Sequence, residues 1–152
     1  MTARPAPLAA LLVLHAGPAA ATANLDCGID DRAVRFELSG LMGRSGSGAI
    51  LSFRSELRLV DRGTPRGPTR VVFSQDDVVQ RWIVGGRIDI ALRRAWSRNG
   101  RKGTVTVILR TAVDEEELEA PGTYELIVTQ EAPRGGKPPS RTIRGKAGCS
   151  LG

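Results

Sequence analysis

Apolar and polar residues alternate with a period of two along most of this chain, and that spacing limits its fold more than any other feature. Val34, Phe36 and Leu38 are separated by Arg35, Glu37 and Ser39. Leu51, Phe53, Leu57 and Leu59 oppose Ser52, Arg54, Glu56 and Arg58, and Val105, Val107, Leu109 and Val113 repeat the pattern. Successive side chains of a strand point to opposite faces, so such runs predict strands with one buried and one wet side. The first of these runs is expected near 33–41, and further strands near 71–73, 82–84, 87–96, 123–130 (Tyr124, Leu126 and Val128 inward) and 141–144.

Turn residues punctuate these runs. Gly43–Gly48, Asp61–Thr69 with Gly63, Pro65, Gly67 and Pro68, and Pro133–Ser140 read as connections. Gly85-Gly86 and Asn99-Gly100 have the chemistry of tight hairpin tips, because such turns need positive φ. Ser74 followed by Asp77 has capping-box spacing and predicts one helical turn through Gln80. No segment sustains a 3.6-residue period. Seven or eight short strands at regular spacing predict an all-β, antiparallel, immunoglobulin-like β-sandwich, with a small β-barrel as the alternative.

The amino-terminal stretch has a different character. Arg4, the apolar run Leu8–Leu14 and the small residues ending Ala21-Thr22-Ala23 form a secretory signal pattern. The run is far shorter than the roughly 20 residues that span a bilayer, so no membrane span is expected. Cleavage after Ala23 would leave residues 24–152 as a single domain, periplasmic or secreted. Cys27 and Cys149 are the only cysteines and lie near the two ends of that domain. In an oxidising compartment such a pair is expected to form a disulfide.

Chemistry is limited by what is missing. The single histidine, His15, lies in the expected leader, so histidine-activated nucleophiles and histidine zinc sites are not expected in the domain. Gly43, Gly46 and Gly48 join two strands, whereas a phosphate loop joins a strand to a helix. Carboxylate hydrolysis would need two acids converging in a cleft. Asp76, Asp77 and Asp89 are the candidates, and each reads more simply as a capping or solvated acid. Asp114–Glu119 lacks the alternating spacing of a dedicated calcium loop and reads as a solvated turn. No catalytic residue, metal or cofactor is expected.

Leu118-Glu119-Ala120-Pro121-Gly122-Thr123-Tyr124-Glu125-Leu126-Ile127-Val128 resembles the corner-and-strand element of immunoglobulin-like bacterial domains. The resemblance implies that the Tyr124 hydroxyl bonds back to the preceding corner. It implies an architecture and no activity. Leu126 stands where antibody domains carry a cysteine.

Two basic segments contain no acid: 93–102, with Arg93, Arg94, Arg98, Arg101 and Lys102 around Trp96, and 134–146, with Arg134, Lys137, Arg141, Arg144 and Lys146. Arginine forks suit phosphate and carboxylate groups. For an exported chain those groups belong to anionic lipid, lipopolysaccharide or acidic glycan, or to a protein partner, and not to nucleic acid. Trp96 would stack on a sugar or lie at an interface, or simply complete the inward series Ile88, Ile90, Leu92. Arg94 falls in that inward register, which requires either a bulge or a strand that outruns the core. The leading expectation is a non-enzymatic binding or accessory domain. The alternatives are a structural or chaperone-like envelope protein acting by strand addition and, behind it, the carboxylate hydrolase.

Overall fold

Each alternating run becomes a strand in one antiparallel sheet. The computed structural model describes residues 22–43, 50–61, 63, 65–84, 87–112, 119–132 and 136–152. Its strands are β1 (Thr22–Asp30), β2 (Val34–Gly43), β3 (Ile50–Leu59), β4 (Arg70–Phe73), β5 (Val78–Val84), β6 (Arg87–Arg98), β7 (Arg101–Ala112), β8 (Glu119–Gln130) and β9 (Ser140–Leu151). A 3-10 turn at Gln75–Asp77 separates β4 from β5 and is shorter than the expected turn through Gln80, because Val78 to Gln80 already belong to β5. Their order across the sheet is β4-β3-β2-β1-β9-β8-β7-β6-β5. Two meanders, β1–β4 and β5–β9, are thus joined where the first strand pairs with the last.

The sheet curls into a half-barrel, and β4 reaches β6 across the open side. Its concave face holds the core: Leu25, Ile29, Phe36, Leu38, Leu57, Ile88, Ile90, Leu92, Val105, Val107, Leu109, Tyr124 and Leu126 are all buried there. The all-β antiparallel expectation is met. The immunoglobulin-like sandwich needs two stacked sheets, and here a single hydrogen-bonded ladder runs unbroken from β4 to β5. The architecture is closer to the barrel alternative. A period of two says which side chains share a face, but not whether that face meets a second sheet or its own curvature.

Among the described residues nine strands replace the expected seven or eight. β1 carries Leu25, Cys27 and Ile29 inward. β9 runs well beyond the expected 141–144, but its inward positions past Ile143 are Gly145, Ala147 and Cys149, too small for a strong apolar signal. Leu51, expected inward, is 61 % exposed. A register shift opposite Leu41 and Met42 turns Ile50 into the core in its place. The Asn99-Gly100 tip is as expected, with φ of 50° and 73°. The Gly85-Gly86 tip, Val113, the glycine turn at 44–48 and the acidic turn at 114–118 lie outside the described residues, although β5 and β6 pair as far as Val84 and Arg87.

Cys27 and Cys149 form the expected disulfide and sit directly opposite each other on β1 and β9. A partly buried polar lock ties the β1–β2 turn to β8. The Asp31 carboxylate accepts the backbone N–H groups of Ala33 and Val34, both at 2.7 Å, and the hydroxyl of Tyr124. The tyrosine therefore bonds to a turn 93 positions away, and not to its own corner as the immunoglobulin-like resemblance implies. Gly145 on β9 makes this possible: a Cβ there would come within 2.7 Å of the tyrosine ring. Burial pushes the Asp31 carboxyl up. The Tyr124 hydroxyl, the two amides and the Arg32 charge outweigh that and hold it below its ordinary value. Burial, then the bond to Asp31 and its charge, raise the Tyr124 hydroxyl.

The open side is fastened differently. Asp77 Oδ2 accepts the Ser74 N–H at 2.7 Å and the Ser74 hydroxyl at 3.0 Å, so the predicted capping pair forms. The same oxygen accepts Arg94 Nη1 at 2.7 Å. Burial would raise the Asp77 carboxyl, but the Ser74 amide, the Arg94 guanidinium and the Ser74 hydroxyl together lower it. Gln75 Nε2 reaches the Ile50 carbonyl at 3.4 Å. One turn thus touches both β3 and β6.

Candidate functional site

The inward register of β6 continues past the core at Leu92 and carries Trp96 and then Arg98 to the end of the half-barrel. Trp96 pairs with Gly103 on β7, where a Cβ would come within 2.8 Å of the indole. The glycine lets the ring lie close against β7, packed on the margin of the core. Its Nε1 is buried with no hydrogen-bond partner among the described residues.

The β3–β4 connection crosses the same end. The Leu59 N–H donates to the Thr69 carbonyl at 2.9 Å, and the Val60 N–H donates to the Ala33 carbonyl at 2.9 Å. Gly67 packs on Val128, and the Arg141 guanidinium lies against Gly63 and pairs with Asp61. Between this strap, the β6–β7 tip and the inner faces of β8 and β9 lies a cavity of about 580 Å³.

Its deeper wall is apolar: Leu59, Trp96, Val128 and Ile143 all belong to the core or pack against it. Its outer wall is cationic, formed by Arg66, Arg98, Arg101 and Arg141. Among the described residues Asp61 is the one acid on the lining, and it is engaged by Arg141. Among the described residues Arg66, Arg98 and Arg101 make no ion pair, whereas Arg58, Arg70, Arg87, Arg94 and Arg144 each find a carboxylate. Arg98 and Arg101 also stand directly opposite each other. Like charges so placed repel, and the arrangement favours any anion that enters.

The structure divides the six basic and aromatic residues singled out from the sequence. Trp96, Arg98 and Arg101 line the cavity. Arg93 and Lys102 fall in the opposite register, paired with Thr106 and Ser97, and are exposed on the convex side. Arg94 is in the inward register as read, and no bulge interrupts β6 against β7. The strand outruns its other neighbour instead: β5 ends opposite Leu92, so Arg94 meets Asp77.

Sequence reasoning did not assign Arg66 or the strap, which read only as a loop. The sole signal was a basic residue between Pro65 and Gly67. Arg141 had been noted in the second basic segment, and curvature of the sheet brings it to the first. Arg144 of that segment is paired with Glu125 outside the cavity, and Arg134 lies outside the described residues.

The acids proposed for hydrolysis do not converge here. Asp77 is committed to Ser74 and Arg94, and Asp89 Oδ2 sits 3.0 Å from Arg87 Nε on the convex face. Asp76 is exposed at the 3-10 turn. What the arrangement offers is a concave, cationic, partly apolar cavity. Set against family models, curated proteins and solved structures, the chain matches none, and its reading rests on this geometry alone.

Proposed function

We propose that this chain is an exported, non-catalytic binding module that takes an anionic ligand at the arginine-lined end of its half-barrel. One observation carries the reading: basic residues from three separate stretches, around 66, 98–101 and 141, share one cavity with a partly buried tryptophan and little counter-charge. Clefts lined by one sign of charge concentrate ligands of the other, and unpaired guanidinium forks are suited to phosphate or carboxylate. The disulfide is compatible with an oxidising compartment, where anionic lipids and glycans supply such groups.

The test compares retention on lipopolysaccharide and on anionic lipid vesicles for three proteins. Arg66→Ala/Arg98→Ala/Arg101→Ala should lose about a hundredfold in affinity, at about 1 kcal/mol per basic residue. Arg93→Ala/Lys102→Ala, on the convex side, should change it little. The mouth variant should melt no lower than the parent, since it relieves a like-charge pair. Equal loss in both variants, or no loss in the first, removes this reading.

Strand addition has one observation in its favour: β5 offers a seven-residue edge paired only to β6 among the described residues. Against it, β5 is bulged between Val78 and Gln80 and carries Arg81 in its inward register, opposite Ile90. Both are devices by which edges resist pairing. The other edge, β4, has four residues.

A further inference from the structure

The two walls of the cavity have different chemistry, and that difference constrains the ligand beyond its charge. Val128 is buried, and Leu59, Ile143 and Trp96 are partly buried against the core. The aliphatic three offer no hydrogen-bonding atom, and the Nε1 of Trp96 is buried. A glycan pressed onto this wall would leave hydroxyls without partners, each costly to desolvate. Inorganic phosphate would meet the arginines but leave the apolar wall facing water. A long polyanion would follow exposed charge, yet the exposed convex-side cations of the same hairpin, Arg93 and Lys102, lie in the opposite register from those of the cavity. The volume, about 580 Å³, is that of a pocket for one small molecule.

Resting on the reading above, we infer that the ligand is an amphiphilic anion, bound one molecule per cavity. Its alkyl or aryl body lies against Leu59, Trp96, Val128 and Ile143. Its phosphate or carboxylate head is held by Arg66, Arg98 and Arg101. Arg141 is the exception on the cationic wall: at 22 % side-chain exposure and paired with Asp61, it fixes the strap that forms the far side of the pocket. The ligand class therefore follows from the meeting of an unsatisfied cationic rim with a partly exposed apolar wall.

The chain has two tryptophans, so a Trp82→Phe background leaves Trp96 as the only indole reporter. Hexyl, octyl and decyl phosphate, each below its micelle concentration, would be titrated into the full chain alongside inorganic phosphate, decanol and a sulfated polysaccharide. Decyl phosphate should saturate at one per chain, shift Trp96 emission to the blue, and bind at least about a hundredfold more tightly than inorganic phosphate. Affinity should rise about tenfold or more from the hexyl to the decyl chain. Arg98→Ala/Arg101→Ala should weaken decyl phosphate about tenfold or more and leave decanol unchanged.

Affinity independent of chain length, or polysaccharide binding that matches decyl phosphate, overturns the inference while leaving an anion site in place. Decanol binding as tightly as decyl phosphate removes the head-group assignment and overturns it likewise. Failure of every anion to bind overturns the proposed function itself.

Discussion

The half-barrel has two junctions of opposite kind. Between β1 and β9 the sheet is continuous while the chain is not: its first and last strands pair in register and are bridged by Cys27–Cys149. Between β4 and β5 the chain is continuous while the sheet is not, and one 3-10 turn spans the opening through Gln75, Asp77 and Arg94. The first junction is held by a covalent bond, a backbone ladder and the Asp31–Tyr124 lock. The second rests on a few side-chain contacts, one of them with a half-exposed arginine. Closing a sheet between distant segments carries a large loop-entropy cost, and strong fastening is found where that cost arises. Segments only a few residues apart need little.

By that contrast, removing the disulfide should have the largest effect. It closes a separation of 122 residues, for which chain-entropy reasoning gives about 5 kcal/mol. Cys27→Ala/Cys149→Ala should lose about 3–5 kcal/mol in denaturant unfolding with a reversible two-state baseline. A loss below about 1 kcal/mol would mean that the ladder alone holds the termini.

The lock should come next. Tyr124→Phe keeps the packing over Gly145 but removes a donor to a partly buried carboxylate, at a cost of about 2 kcal/mol. Its pH dependence follows from the two shifts. The Asp31 carboxyl is lowered in the folded state from 3.8, so its contribution is present above about pH 4 and lost as pH falls through the lower folded value. The Tyr124 hydroxyl is raised from 10.0, so its contribution is present below about pH 10 and lost as pH rises through the higher folded value. The stability difference between parent and Tyr124→Phe should therefore be flat from about pH 5 to 9 and narrow at both extremes. A difference that does not vary with pH would break the assignment.

The smallest effects belong to the seam. Asp77→Ala removes the cap and the Arg94 partner together and should cost about 1 kcal/mol. Arg94→Ala, which leaves the cap intact, should cost about 0.5 kcal/mol or less after solvent screening. Hydrogen exchange should show β4 and the start of β5 opening at lower free energy than β1 and β9. Slower exchange at the seam than at the termini would invert the comparison.

Much of the fold was legible in the residues themselves. Alternation placed β2, β3, β6 and β8 to within a few positions, and Asn99-Gly100 and Ser74/Asp77 announced their local turns. β1 was missed although Leu25, Cys27 and Ile29 alternate, because the run adjoins the leader-like stretch. β9 was cut short because glycine and alanine give little hydrophobic contrast. Of the candidate site, Arg98 and Arg101 were marked only as members of a basic segment, and Trp96 was legible as an inward residue of β6. Arg66 was not, because a loop residue acquires a direction only from what the loop packs against.

By itself the sequence determined the strand class, the inward residues of β2, β6, β7 and β8, the pairing of the two cysteines and the inward position of Trp96. These are local properties, set by side-chain alternation and by a choice of one partner for one thiol. The tertiary structure alone decided that the strands form a single curled sheet, that Tyr124 reaches Asp31, and that Arg66 and Arg141 join the hairpin arginines around one cavity. Curvature and long-range register depend on every strand at once, and no single stretch of sequence carries them.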